Sequence, residues 1–549
     1  MIVPLAQLKE VSPEPTPLSE IMSQVDPELQ PLLLSDCSNT RFTDIRESDI
    51  DNNNNNNDND TNDLIDSYFP LHPVSTSTYH ELYYLIKNAF PVFLTFFIQY
   101  LIQILIPTYF TSKLGSIELS ACTLSITTFY LTGPVIVNGF ASALDTLCST
   151  AYGARHYHKV GLYYIQCTII LSICLIPSCL FWFNSYSFFK YITSLSNSNS
   201  NNTDDNIELA KLCHSFLKTL SFITPAIVIF ESTKRFLQSQ CKFSIPTRIV
   251  IIGIPISFSL NLYLSKNPNV FSFISNNLSL IEPIQIPAIS FAITYWIMTI
   301  CLVFYMYFID GYQCLPSFEY LKSKHFKSYI SSSFIFFKLG LPGILMILSE
   351  ALAFQVITFM STTFSKDQLA AQSIVSTLAS LAFQPPYAIG ICCSTHIANL
   401  IGARSSNYKP AMKAIYILMI SLSIFNFTWF FLLRVKLASL FTNDEKILEI
   451  VSKLAIIIAI NQFLDCFNIL CAAILRGQGR QQIGSILSIL SYYIIGVPLE
   501  ILLGFHFNLQ VYGLWIGLAL GVNFLSIVEL YIVYRSNWMS IIKKNNKLT

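Results

Sequence analysis

From residue 88 onward the chain alternates long apolar runs with short polar breaks, and the runs number twelve. They cover about 88–110, 119–142, 160–184, 208–233, 246–264, 287–309, 332–358, 368–392, 411–433, 451–475, 482–504 and 513–534. Stretches such as Ile169–Phe183, Ile293–Phe308 and Ile415–Leu433 are too long and too apolar for a soluble core helix. They match a bilayer interior about 30 Å thick. The fifth run is the weakest and is interrupted by Pro255. The pattern predicts an all-α polytopic membrane protein with twelve transmembrane helices.

The runs also repeat. Lys87-Asn88-Ala89-Phe90-Pro91 returns as Lys338-Leu339-Gly340-Leu341-Pro342, 251 positions later. Leu119-Ser120-Ala121 returns as Leu369-Ala370-Ala371 at an offset of 250, and Gly153-Ala154-Arg155 as Gly402-Ala403-Arg404 at 249. Three matches in order at nearly one offset imply two six-helix bundles related by pseudo-symmetry. An even number of spans per half makes the halves parallel, and such proteins work by rocking one half against the other around a site between them. That is the architecture of a transporter.

Composition agrees. The chain is 53% hydrophobic and 12% charged, against about 25% charged in soluble domains. Its net charge of +1 hides a division. Residues 1–86 carry three basic and fifteen acidic residues, a balance of −12, and the remainder carries +13. With Pro13, Pro15, Pro17 and the Asn-rich tract 51–60, the tail lacks the apolar content to fold and reads as disordered and cytosolic. It has no basic start followed by an apolar stretch, so it is not a signal peptide. The expected organisation is tail 1–86, first lobe 87–320, second lobe 321–537 and a cytosolic end 538–549. The fourteen cysteines are scattered through apolar runs without a CxxC pair and read as packing residues. His156-Tyr157-His158 has metal-like spacing but reads as a solvated loop, so no metal or cofactor is expected.

With both termini in the cytosol, the inner side receives twenty Lys and Arg and the outer side ten, which is the positive-inside bias. The sequons Asn201-Asn202-Thr203 and Asn277-Leu278-Ser279 then fall outside.

Charges inside the apolar runs need a reason, because insertion at the bilayer centre costs at least about 2.5–3.5 kcal/mol. Glu350 lies twelve residues past Lys338 and Asp465 eleven before Arg476. At 1.5 Å per residue both sit roughly 16–18 Å from the inner face, near the midplane. A carboxyl in low dielectric favours its proton-bearing form, and a cationic substrate competes with that proton for one site. Other acids rank lower. Glu231 reads as an interfacial pair with Arg235, Glu529 as solvated near Arg535, Glu500 as ambiguous, and Asp145 as part of an inner loop. The first half offers only amides, Gln99, Gln103 and Asn138, so coupling is expected in the second half.

Ala143-Leu144-Asp145-Thr146-Leu147-Cys148-Ser149-Thr150-Ala151-Tyr152-Gly153-Ala154 resembles a loop signature of eukaryotic multidrug and toxic compound extrusion (MATE) transporters. Ala371-Gln372-Ser373-Ile374 resembles a further part of that family's pattern. So do Leu475-Arg476-Gly477-Gln478-Gly479-Arg480-Gln481, Ser491–Pro498 and Gly513-Leu514-Trp515-Ile516-Gly517. The likeness runs from about 85 to 535. It implies a V-shaped, two-lobed bundle that exports organic cations in exchange for protons, or sodium in some members. Glu350 and Asp465 match the family's acids on the seventh and tenth helices, while Gln355 and Thr377 stand where animal members carry further glutamates. Gln372, Asn461, Asn468, Gln99, Asn138 and Tyr493 complete the expected cavity. The expected partners are an organic cation or metabolite, a proton or sodium counter-ion and the lipid bilayer, without nucleic acid. The expected state is a monomer in the plasma or vacuolar membrane. A flippase for a lipid-linked or glycan substrate is the alternative, but it needs paired cations for phosphate where the deep positions here are acidic. A membrane enzyme or receptor is disfavoured, since no His-Asp or Ser-His pair sits at active depth and a receptor gives no reason for the repeat.

Overall fold

A computed structural model of the chain describes residues 76–196, 203–267, 282–310, 312–316, 334–442 and 444–546. The acidic tail up to residue 75 and the sequon asparagines at 201, 202 and 277 lie outside the described residues.

Twelve helices among the described residues are long and apolar enough to cross a bilayer. They are α1 (Thr78–Thr111), α2 (Ser116–Gly153), α3 (Tyr157–Phe183), α4 (Asn206–Ser239), α5 (Ser244–Lys266) and α6 (Gln285–Phe308) in the first half. The second half holds α7 (Phe334–Ser361), α8 (Lys366–Gly402), α9 (Tyr408–Ser439), α10 (Glu445–Gly477), α11 (Gln481–His506) and α12 (Gln510–Tyr534). Side-chain caps start several of them. Ser365 accepts the Gln368 N–H at 3.4 Å to open α8, and Asp444 accepts the Lys446 N–H at 2.9 Å to open α10.

The helix count follows the apolar pattern; the helix ends do not. α5 runs unbroken through Pro255. α1 begins at Thr78, inside the segment read as tail. α2 continues eleven residues past 142 and α8 ten past 392. The added turns, 143–153 and 393–402, are rich in small and polar residues buried against other helices rather than lipid. Hydropathy registers lipid contact and so stops short of them. The signature read as a loop, including Asp145, is therefore helical and buried. A further helix, α13 (Trp538–Asn546), forms where the sequence suggests only a tail. It is held by stacking of Trp538 on Tyr408 at 5.0 Å and by Asn545 donating to the Gln478 carbonyl at 2.9 Å.

The internal repeat is visible in the backbone. α2, α4, α8 and α10 end in the same way, with Arg155, Cys241, Arg404 and Gly479 at positive φ of 62°, 63°, 51° and 68°. In each turn the next N–H returns to a carbonyl five residues back: His156 to Ala151, Lys242 to Leu237, Ser405 to Leu400 and Arg480 to Leu475, at 2.8–3.0 Å.

The halves meet where α2 packs on α7 and α8, and α1 on α8 and α9. The named cross-half contacts cluster toward one end of the bundle. A Cβ at Gly153 would overlap the Asn399 carbonyl, and one at Gly402 the Thr150 carbonyl. A Cβ at Gly343 would overlap the Gly139 carbonyl. On the same side Glu81 of α1 lies 2.7 Å from His396 Nε2 of α8, whose ring centre is 4.7 Å from that of Tyr84. Thr146 donates to the Arg476 carbonyl at 2.6 Å.

Candidate functional site

The bilayer imposes one rule on every polar side chain along these helices: a partner, a water-lined cavity, or a large cost. Two clusters meet that rule in opposite ways.

In the first half the charges are paired. Glu231 and Lys234 of α4 contact each other at 2.5 Å, and Arg235 forms an ion pair with Asp145 of α2. Gln99 donates to Glu231 at 3.0 Å and to the Tyr295 hydroxyl at 2.9 Å, and accepts from Lys234 at 3.2 Å. Gln103 donates to Tyr295 at 2.6 Å. The Lys234 ammonium also sits 4.5 Å from the Phe96 ring centre. All four charged groups are buried. The interfacial Glu231–Arg235 pair expected from spacing is thus replaced. The four-residue interval was right for a helix pair, but the three-residue neighbour took Glu231, and Arg235 reached across to α2. Two acids and two bases balance within the protein, so this cluster braces α1, α2, α4 and α6.

In the second half a cavity opens between α2, α7, α8, α10, α11 and α12. Glu350, Asn468, Arg476, Phe383, Tyr387 and Tyr492 line it, with Ser142, Met346, Ser488 and Leu525 among its walls. Glu350 is half-buried, and among the described residues its carboxyl has no hydrogen-bond partner. Its charged neighbours are Asp465 and Arg476. Asp465 is buried and lies behind the lining, with long contacts from Gln462 at 3.4 Å and Asn468 at 3.5 Å. The cavity therefore presents one free carboxyl, a second just behind it, one guanidinium and three aromatic faces. A proton, a metal cation or an organic cation satisfies such a carboxyl, and the aromatic faces favour the organic cation.

The structure distributes the remaining expected residues unevenly. Asn468 lines the cavity. Gln355 is exposed on α7, and Thr377 donates to its own helix at the Ser373 carbonyl, 2.9 Å away. Gln372 is buried as a brace, accepting the Trp515 indole N–H at 2.6 Å and donating to Ser376 at 2.9 Å. Asn461 is buried with its Oδ1 unpartnered among the described residues. Gln99 and Asn138 belong to the first-half cluster, where the Asn138 carbonyl accepts from Arg235 at 3.4 Å. Tyr493 donates to the Ser349 carbonyl at 3.1 Å, while its neighbour Tyr492 faces the cavity. The one-residue difference arises in a π-helical stretch, Leu490–Gly496, whose wider turn changes which side chains point inward.

Two acids ranked low from the sequence, Glu529 read as solvated and Glu500 as ambiguous, stand out in the structure. Glu529 and Glu500 are both fully buried, and neither carboxylate has a hydrogen-bond partner among the described residues. The signal for Glu529 was a lone acid within the apolar run 513–534; the nearness of Arg535 disguised it. Among the described residues no group of three or more His, Cys, Asp or Glu is arranged to hold a metal ion.

Comparison with known proteins follows the same fold. The MatE family model matches residues 91–263 and 342–502, once in each half. The transporter YDR338C of Saccharomyces cerevisiae is 30% identical over 459 residues, covering 83% of this chain and 62% of its own length, so the chain spans under two thirds of that relative. Mouse multidrug and toxin extrusion protein 2 is 26% identical, covering 83% of this chain and 75% of its own. The crystal structure of the eukaryotic MATE transporter AtDTX14 superposes with a TM-score of 0.73 at 24% identity, over 86% of this chain and 98% of the other. This chain, with its twelve apolar helices and matched halves, belongs to the MatE family of membrane transporters.

Proposed function

We propose that the protein is a secondary active antiporter that expels an organic cation or metabolite in exchange for protons, with Glu350 and Asp465 as the coupling pair. The observation that carries the reading is the Glu350 carboxyl on a cavity wall, without a hydrogen-bond partner among the described residues, with Asp465 behind it. A proton arriving at this pair removes the charge that holds a cationic cargo, so loading one expels the other. The aromatic residues Phe383, Tyr387 and Tyr492 suit a flat cationic cargo. The name of the mouse relative, a multidrug and toxin extrusion protein, supports this substrate class.

Cross-half contacts toward the Gly153/Gly402 end support alternating access. With both termini cytosolic, that end is the inner one. The described state is then closed inward, and rocking of residues 87–320 against 321–537 carries the site to the other side. A monomer in the plasma or vacuolar membrane suffices for this cycle. The flippase reading wants paired cations, whereas Arg476 faces a surplus of carboxyls. The test is efflux of the fluorescent cation ethidium from proteoliposomes under separately imposed pH and sodium gradients. Efflux driven by the pH gradient supports proton exchange; efflux under the sodium gradient alone transfers the same site to sodium; efflux under neither overturns the proposal.

A further inference from the structure

The two halves treat equivalent cations differently. Lys242 and Arg480 hold the same place in the repeat, each directly after the positive-φ residue that ends α4 or α10. Lys242 is neutralised within the chain, 2.5 Å from Asp310 just past α6. The segment just past α12 offers Arg480 only a neutral acceptor, the Ser536 hydroxyl at 2.8 Å, with the Gln478 amide oxygen at 3.4 Å. No aspartate or glutamate occurs in 403–442, 477–499 or 530–549.

α13 lies across this end of the bundle. Trp538 at its start stacks on Tyr408 at the start of α9, and Asn545 near its finish bonds the Gln478 carbonyl just past α10. Those two residues stand about 10 Å apart along the helix, which matches the spacing of neighbouring helices. Trp538, Ile542 and Asn545 recur at helical intervals and form the docked face, while Met539, Lys543 and Lys544 are exposed on the other. Nearby cations continue stripes that face the lipid. On α9, exposed Ile424, Ile420 and Ile417 lead at steps of three and four to exposed Lys413 and Lys409. On α12, exposed Ile527, Tyr531 and Tyr534 lead to exposed Arg535. Met412 of α9, Val533 of α12 and Ile542 of α13 belong to one apolar cluster, so the stripes and the helix form one surface. Lys409, Lys413, Arg480, Arg535, Lys543 and Lys544 have no ion-pair partner among the described residues.

We propose that this surface docks the headgroup of an anionic phospholipid, with its acyl chains along the α9 and α12 stripes. The lipid phosphate supplies the negative charge that Asp310 supplies in the first half. Basic residues at the foot of apolar spans draw anionic headgroups, and a guanidinium beside ammonium groups grips phosphate oxygens. A free phosphate has no chain to lay on the stripes, so the geometry favours the lipid.

The experiment is native mass spectrometry of the full chain, released from detergent with phosphatidylserine or with phosphatidylcholine of the same acyl chains. The wild type should retain phosphatidylserine preferentially. Lys543→Gln/Lys544→Gln and Lys409→Gln/Lys413→Gln should each weaken that retention roughly tenfold, whereas Lys543→Arg/Lys544→Arg keeps it. Ser536→Asp gives the second half the acid that the first already has, and should lower retention severalfold. Equal retention of the two lipids overturns the proposal, as does phosphatidylserine retention that survives both glutamine pairs. Tight binding of inositol hexakisphosphate without preference for phosphatidylserine marks a site for free phosphate and overturns it too. Should the α13 pair fail to fold, the α9 pair, exposed on a different helix, decides alone.

Discussion

Gly402 of α8 lies against the carbonyl of Thr150 of α2, so close that a methyl group on the glycine would overlap that oxygen, and Gly153 stands in the same relation to the Asn399 carbonyl. The two glycines occupy equivalent places in the internal repeat. Each half thus presents its own glycine to the other's backbone, and the junction is self-complementary about the pseudo-twofold axis.

Gly402→Val is expected to prop this junction open. Overpacking at a tight contact costs about 1–3 kcal/mol, which biases the two access states by roughly ten- to hundredfold. Maleimide labelling of a cysteine placed at Thr150 should rise from the Gly402 side of the membrane, and ethidium exchange should slow. Unchanged labelling would show that the glycines do not set the closed state.

Glu350→Gln and Asp465→Asn should each lower pH-driven ethidium exchange to the level of empty liposomes while the melting temperature stays near wild type. Glu350 makes no hydrogen bond among the described residues and Asp465 only long ones, so neither substitution removes a structural contact of note. Exchange at the wild-type rate in both would refute the coupling assignment.

The apolar pattern exposed the number and type of helices because each must fill a bilayer alone. It missed residues 143–153 and 393–402, whose neighbours are other helices and whose composition gives hydropathy nothing to detect. Glu350 and Asp465 were legible from the cost of mid-depth charge. Glu529 was not, since nearness along the chain to Arg535 said nothing about burial by α10 and α11. Tyr493 was chosen over Tyr492 because a sequence does not announce a π-helical turn. The first-half cluster was hidden for a related reason: Asp145, Gln99 and Tyr295 find Arg235, Glu231 and Lys234 only once four helices have packed.

Asp145→Asn should therefore behave quite unlike the coupling variants. It strands the Arg235 guanidinium in a buried site, and breaking such a pair costs about 3–5 kcal/mol. Thermal-aggregation assays in detergent should show a large loss of stability. A variant as stable as wild type would mean that the pair is solvated and not a brace.

Gln372→Leu removes the acceptor of the Trp515 indole N–H, a contact of 2.6 Å between α8 and α12. The cost should be about 1–3 kcal/mol, because the buried donor loses its partner. The KM for ethidium should hold, since the glutamine lies outside the cavity lining. A changed KM with unchanged stability would place Gln372 on the substrate path.

α11 contains a second π-helical stretch, Leu502–His506, beyond the one at Leu490–Gly496. Each wide turn stores about one residue of slack within an unbroken hydrogen-bonded rod. A rod with slack at two points can tighten at one and loosen at the other, rotating the piece between them, which carries Glu500, without tearing its backbone ladder. The segment free to swivel, Val497–Ile501, adjoins the wide turn that holds the cavity-wall residue Tyr492.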